Sequence, residues 1–150
     1  MSTLKIDDQN EIYYEFTEPK GNGHIFVFVN ALTGSTAAWN GIIGDKITEE
    51  GNGFLAYNFR GQDISKFSDE LNLDTDLIVS DLCLLIEKLK LKNIILVGLS
   101  IGGLYASLAL EKGIKSQGLV LINTLRKNNT RLKWINETMV NVARYGGTSL

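Results

Sequence analysis

The stretch Gly98-Leu99-Ser100-Ile101-Gly102-Gly103 constrains this chain more than any other, because it joins an apolar run, Ile94 to Val97, directly to a second apolar segment. A strand that passes through Gly-x-Ser-x-Gly straight into a helix forms a nucleophile elbow, a tight and strained turn that pushes the serine hydroxyl out at the sheet edge. Gly98 and Gly102 flank Ser100 where a side chain would collide with a neighbouring strand or helix, and Gly103 lets the start of the helix lie close to the sheet. Five residues are a weak signal alone. The turn works only at the C-terminal end of a strand in a mostly parallel sheet, so the rest of the chain has to supply one.

It reads that way. Thr3 to Ile6 and Glu11 to Glu18 are expected as strands of a hairpin around Asp7-Asp8-Gln9-Asn10, with Ile12, Tyr14 and Phe16 alternating with Tyr13 and Glu15. His24 to Val29 is a nearly continuous apolar run, suited to a central strand covered on both faces. The loop from Asn30 to Ser35 follows, then a helix capped by Ser35 or Thr36 and running to about Ile47. Phe54 to Tyr57 is a short strand. A long helix begins at Asp74 or Thr75, with Leu77, Ile78, Leu82, Leu85, Ile86 and Leu89 on one apolar face. Asn93 to Val97 leads into the elbow, Ile101 to about Lys112 is a helix stopped by Gly113, and Gly118 to Ile122 is a further strand. An amphipathic segment, Arg131 to Tyr145, closes the pattern with Leu132, Ile135, Met139 and Val142 on one side. The expected fold is α/β: a mostly parallel sheet with an N-terminal antiparallel hairpin and helices on both faces.

Composition narrows the function. A length of 150 residues with 44% hydrophobic content implies one domain, residues 1–150. A net charge of -2 gives no electrostatic reason to expect nucleic acid, and Lys88, Lys90 and Lys92 read as a solvated helix end. Cys83 is the only cysteine, which excludes an internal disulfide and suits a reducing compartment; it is expected as a small core residue. No Asp, Glu or His cluster has metal-ligand spacing, and no cofactor is implied. Met1 to Asn10 lacks the apolar segment of a signal peptide, and no run approaches the ~18 apolar residues of a membrane span, so the expectation is a cytoplasmic protein.

Three stretches in order carry a resemblance. Asn30-Ala31-Leu32-Thr33-Gly34-Ser35 is similar to a loop that usually begins His-Gly; Asn58-Phe59-Arg60-Gly61-Gln62-Asp63-Ile64-Ser65 is similar to Asp-x-Arg-Gly-x-Gly-x-Ser; the elbow is the third. Together they resemble the α/β-hydrolase superfamily, in particular its esterase, lipase and enol-lactone hydrolase branch. The departures are Asn30 and Ala31 for His-Gly, Asn58 for Asp, and Asp63 for Gly. The resemblance implies that Ser100 attacks an acyl carbonyl of a small-molecule substrate. Backbone N–H groups of Ile101 and, by position in the loop, Leu32 would hold the oxyanion. Without the flanking loops, Ser100 would read as a turn serine that only caps a helix.

A serine nucleophile needs a general base, and the only histidine, His24, is at the start of the third strand, at the opposite sheet edge from Ser100. The acid is missing too, since Asn123-Thr124 follows the strand ending at Ile122. The resemblance then implies the N-terminal portion of a longer hydrolase, with residues from about 125 to 150 beginning a cap or lid. The strand Gly118 to Ile122 is left as an apolar edge, which predicts self-association. The alternative is a non-catalytic relative that keeps the fold and uses its groove or edge for binding. Trp39 is expected to pack the first helix on the sheet, Trp134 to pack or to line an acyl pocket, Arg60 to tie down its loop, and Asp63 and Asp81 to be solvated.

Overall fold

The computed structural model describes residues 2–68 and 71–124. The segment Arg131 to Tyr145, Trp134 and the lid expected from residue 125 lie outside the described residues. Six strands, β1 (Ser2–Lys5), β2 (Glu11–Thr17), β3 (Ile25–Val29), β4 (Gly53–Tyr57), β5 (Ile94–Leu99) and β6 (Gly118–Ile122), form one sheet in the order β1-β2-β4-β3-β5-β6. The hairpin β1–β2 and the β2–β4 pair are antiparallel, and β4, β3, β5 and β6 run parallel. The α/β architecture with a leading hairpin is therefore present as expected.

Alternation along the parallel strands builds a core on each face. Ile25, Val27, Val29, Leu55 and Tyr57 face one side, where they meet α2 (Thr75–Lys88) through Ile78, Leu82 and Leu85 and α3 (Ile101–Glu111) through Tyr105, Ala106 and Ala109. Phe28, Phe54, Ala56 and Val97 face the other side with Trp39, whose ring centroid lies 4.6 Å from that of Phe28. Burial on both faces explains why β3 is a continuous apolar run rather than an alternating one. The helix ends follow local chemistry. The Asp74 carboxylate accepts from the Leu77 N–H at 2.9 Å, and Gly113 ends α3 at φ 99°.

Two expectations are corrected. The helix expected from Ser35 to Ile47 is broken into a 3₁₀ turn (Thr36–Ala38) and α1 (Ile42–Glu49), and Ser35 makes no side-chain cap bond. The Thr36 N–H is instead taken by Asn58 Oδ1 at 2.8 Å. Trp39 turns inward so that its Nε1 donates to Asn30 Oδ1, and Gly41 reverses the chain at φ 69° before α1 starts. The second correction is Asp81, which is buried at 3% exposure rather than solvated. It lies on α2 between Ile78 and Leu85, on the inward stripe, and Arg60 reaches it with both ends of its guanidinium fork. Arg60 Nε to Asp81 Oδ2 is 2.7 Å. Arg60 does tie down its loop, and it does so by anchoring residues 58–65 to the core helix.

Candidate active site

The elbow sits where β5 ends and α3 begins. Ser100 holds φ 55°, ψ −122°, a backbone region that costs a non-glycine residue about 1–3 kcal/mol. Its neighbours make that conformation possible. A Cβ on Gly98 would strike the backbone of Gly103, one on Gly102 would strike the carbonyls of Val29 and Asn30, and one on Gly103 would overlap the Thr124 side chain. The turn is thus clasped between the ends of β3 and β6. Two backbone bonds close it: the Ser100 N–H donates to Ile122 O at 2.9 Å, and the Gly103 N–H donates to Ser100 O at 3.1 Å. Ser100 is exposed, and its hydroxyl makes no capping bond to α3. The purely capping reading of this serine is therefore not realised.

Because Val29 pairs with Gly98, the loop that leaves β3 emerges beside the elbow. Leu32 lies in that loop, with a side chain 62% exposed. Among the described residues, neither the Leu32 nor the Ile101 backbone N–H donates to another protein group. Ile101 is the first residue of α3, so its N–H belongs to the unpaired, partially positive helix start. An open cleft of about 600 Å³ adjoins the loop, lined by Leu32, Thr33, Gly34, Gln62 and Asp63 among others.

Buried amides hold the two loops together. Asn30 Nδ2 donates to Tyr57 O at 2.7 Å, its Oδ1 accepts from Trp39, and Asn58 Oδ1 accepts from Thr36. Where the resembled loops begin with His and Asp, this chain uses two asparagines, each giving and accepting. Asp63 is exposed as expected, in the left-handed region at φ 47°, and takes a 3.3 Å bond from Asn58 Nδ2. Gln62 has the largest unforeseen part. Its Nε2 donates to Ala31 O at 2.9 Å and to Leu32 O at 2.6 Å, while its Oε1 accepts from the Phe59 N–H at 3.0 Å. A long polar side chain in a turn between Gly61 and Asp63 offers no periodicity to betray such a role. Asp81 did leave a signal, an acidic residue at a position of α2 that the apolar spacing assigns to the core.

His24 lies on the far side of the sheet. It is exposed just before Ile25, which pairs with Ile94 at the opposite end of β5 from Ser100. Six residue steps from Ile94 to Ser100 at about 3.3 Å each put on the order of 20 Å between them. Cys83 is half-buried against the main core, and burial pushes its thiol up from the usual range, which leaves it un-ionised. Among the described residues, no group of His, Cys, Asp and Glu side chains is arranged to hold a metal ion, and no helix is long and apolar enough to cross a membrane.

A strained serine between a parallel strand and a helix, with the β3 loop beside it, defines a class. The chain belongs to the alpha/beta hydrolase fold family, which it matches over residues 24–148. Among solved structures it is similar to an alpha/beta hydrolase enzyme from a Medee basin deep-sea metagenome library, with 25% identity, a TM-score of 0.81, and coverage of 97% of this chain and 52% of that one. It is also similar to a structure from Nitrososphaera gargenis reported with the activity profiles of carboxylesterases, at 20% identity, TM-score 0.82, and 97% and 54% coverage. An esterase from Exiguobacterium antarcticum is similar at 19% identity, TM-score 0.78, and 97% and 56% coverage. The chain therefore spans about half the length of these structures. No match was found among curated proteins.

Proposed function

We propose that this chain carries the nucleophile half of a serine hydrolase acting on an ester, lactone or related small acyl compound. The observation that carries the reading is Ser100, held at φ 55° with an exposed hydroxyl that does not cap α3. In the proposed step the Ser100 Oγ forms a bond to the acyl carbon and gives its proton to a general base. The carbonyl electron pair moves to oxygen, where the Leu32 and Ile101 N–H groups receive it. Collapse of that intermediate expels the alcohol, which takes the proton back, and water then hydrolyses the acyl-enzyme in the same manner. His24 is too distant to be the base, so base and acid come from sequence outside these 150 residues, in the same polypeptide or a partner.

Residues from about 125 onward begin the cap in this reading, and β6, an edge strand among the described residues, pairs with a further strand or with a second copy. A single half-buried thiol suits a cytoplasmic setting. The remoteness of His24 also favours a second reading, a non-catalytic relative that binds acyl compounds without turning them over. A fluorophosphonate probe separates nucleophile from cap: Ser100 is expected to be labelled, and Ser100→Ala to be inert. Labelling that persists in Ser100→Ala, or fails in the full polypeptide that supplies the base, would overturn the nucleophile assignment. Turnover of p-nitrophenyl acetate by the native full polypeptide, lost in Ser100→Ala, decides against the binding-only reading.

A further inference from the structure

We propose that Gln62 is a positioning residue that aims the Leu32 N–H at the oxyanion, acting through the peptide between Ala31 and Leu32. The proposal rests on the reading of Ser100 as nucleophile and deepens it by naming what holds one of its donors. A trans peptide is planar, with C=O and N–H pointing in opposite directions. Whatever fixes the Ala31 carbonyl therefore fixes the direction of the Leu32 N–H. The Ala31 oxygen accepts from Gln62 Nε2 at 2.9 Å and from the Gly34 N–H at 3.0 Å, which occupies both lone pairs. The next carbonyl, Leu32 O, takes the second Gln62 donor at 2.6 Å. One side-chain amide thus clamps two successive peptide planes from the side opposite their N–H groups.

The loop has little else to hold it there. Leu32 and Thr33 are exposed, so no buried side chain anchors this part of the loop. Gln62, by contrast, is over-determined. Its Oε1 accepts from the Phe59 N–H, its own N–H donates to Phe59 O at 2.9 Å, and its carbonyl accepts from Ser65 N at 2.9 Å. The Phe59 contact also sets which end of the amide faces the Ala31 and Leu32 carbonyls. Two residues before Gln62, Arg60 is locked to buried Asp81 on α2, so the clamp is referred to the hydrophobic core rather than to another surface loop. A glutamate at position 62 has the same shape and reverses the effect: it offers no donor and sets a charge against two carbonyl oxygens.

The test compares the wild-type full polypeptide, which supplies the base, with its Gln62→Glu and Gln62→Leu variants in two measurements. With a fluorophosphonate probe, the first-order labelling constant at Ser100 should fall about 10- to 100-fold while the probe concentration at half-saturation stays unchanged, as expected for a misplaced transition-state donor. In ¹H–¹⁵N spectra, the Leu32 and Thr33 amide peaks should shift and broaden, while the peaks of β5 and α2 and the urea midpoint hold. Unchanged labelling, or an unmoved Leu32 amide, overturns the proposal. A wild-type chain that does not label at all removes the reading of Ser100, and the amide spectra then decide alone whether Gln62 sets this peptide. A general loss of folding would show in the urea midpoint, and in that case Gln62→Leu, which introduces no charge, supplies the deciding comparison.

Discussion

Replacing Arg60 by methionine would leave the Asp81 carboxylate in a site where the paired side chains are only 6% and 4% exposed. In the native fold burial pushes the Asp81 carboxyl up, and the Arg60 hydrogen bonds and charge pull against it. Without Arg60 only the upward push remains. Removing one partner of a buried pair typically costs about 3–5 kcal/mol, a large share of the ~5–15 kcal/mol by which such domains are stable. The pH dependence identifies the cause. An acid whose folded pKa lies above its unfolded value of 3.8 leaves stability intact below that value, and stability falls as pH rises towards the folded pKa. Arg60→Met should therefore lose about 1.4 kcal/mol per pH unit above pH 4 until the carboxyl ionises, then level off. Urea unfolding at pH 4, 5.5 and 7, followed by the fluorescence of buried Trp39, measures this. Arg60→Met/Asp81→Leu, which removes both charges, should recover to within about 1–2 kcal/mol of wild type. A deficit below about 1 kcal/mol at pH 7, or one independent of pH, would refute the argument.

Ser100→Gly should raise stability by about 1 kcal/mol in the same urea assay, because glycine accepts φ 55° without strain and gives back part of that gain as unfolded-chain entropy; no gain would mean the elbow stores little strain. β6, an edge strand among the described residues with Val120 at 44% and Leu121 at 45% exposure, predicts concentration-dependent association of the 150-residue chain by light scattering. Val120→Lys with Leu121→Lys should abolish that association, and a monomer at all concentrations would count against edge pairing.

Much of this molecule was legible in its residues because the signals were local. Period-two and continuous apolar runs marked the strands, the Asp74 carboxylate and the Gly113 backbone marked helix ends, and glycines around Ser100 marked a close approach. Trp39 was rightly placed against the sheet, but the helix around it was not, because what breaks that helix is remote. Asn30 draws the Trp39 indole inward and Asn58 takes the Thr36 N–H, and both asparagines follow strands outside the helical pattern they interrupt. Asp81 is the same lesson in charge. Its place on the apolar stripe of α2 was written in the sequence, yet only a guanidinium brought from residue 60 makes it tolerable there. Order along the chain, element type and the elbow were determined by nearest neighbours and short periods. Which strand lies beside which, and hence that Gln62 meets the Ala31 and Leu32 carbonyls beside Ser100, was decided by tertiary packing, since a hydrogen bond between residues 30 apart leaves no period in the sequence.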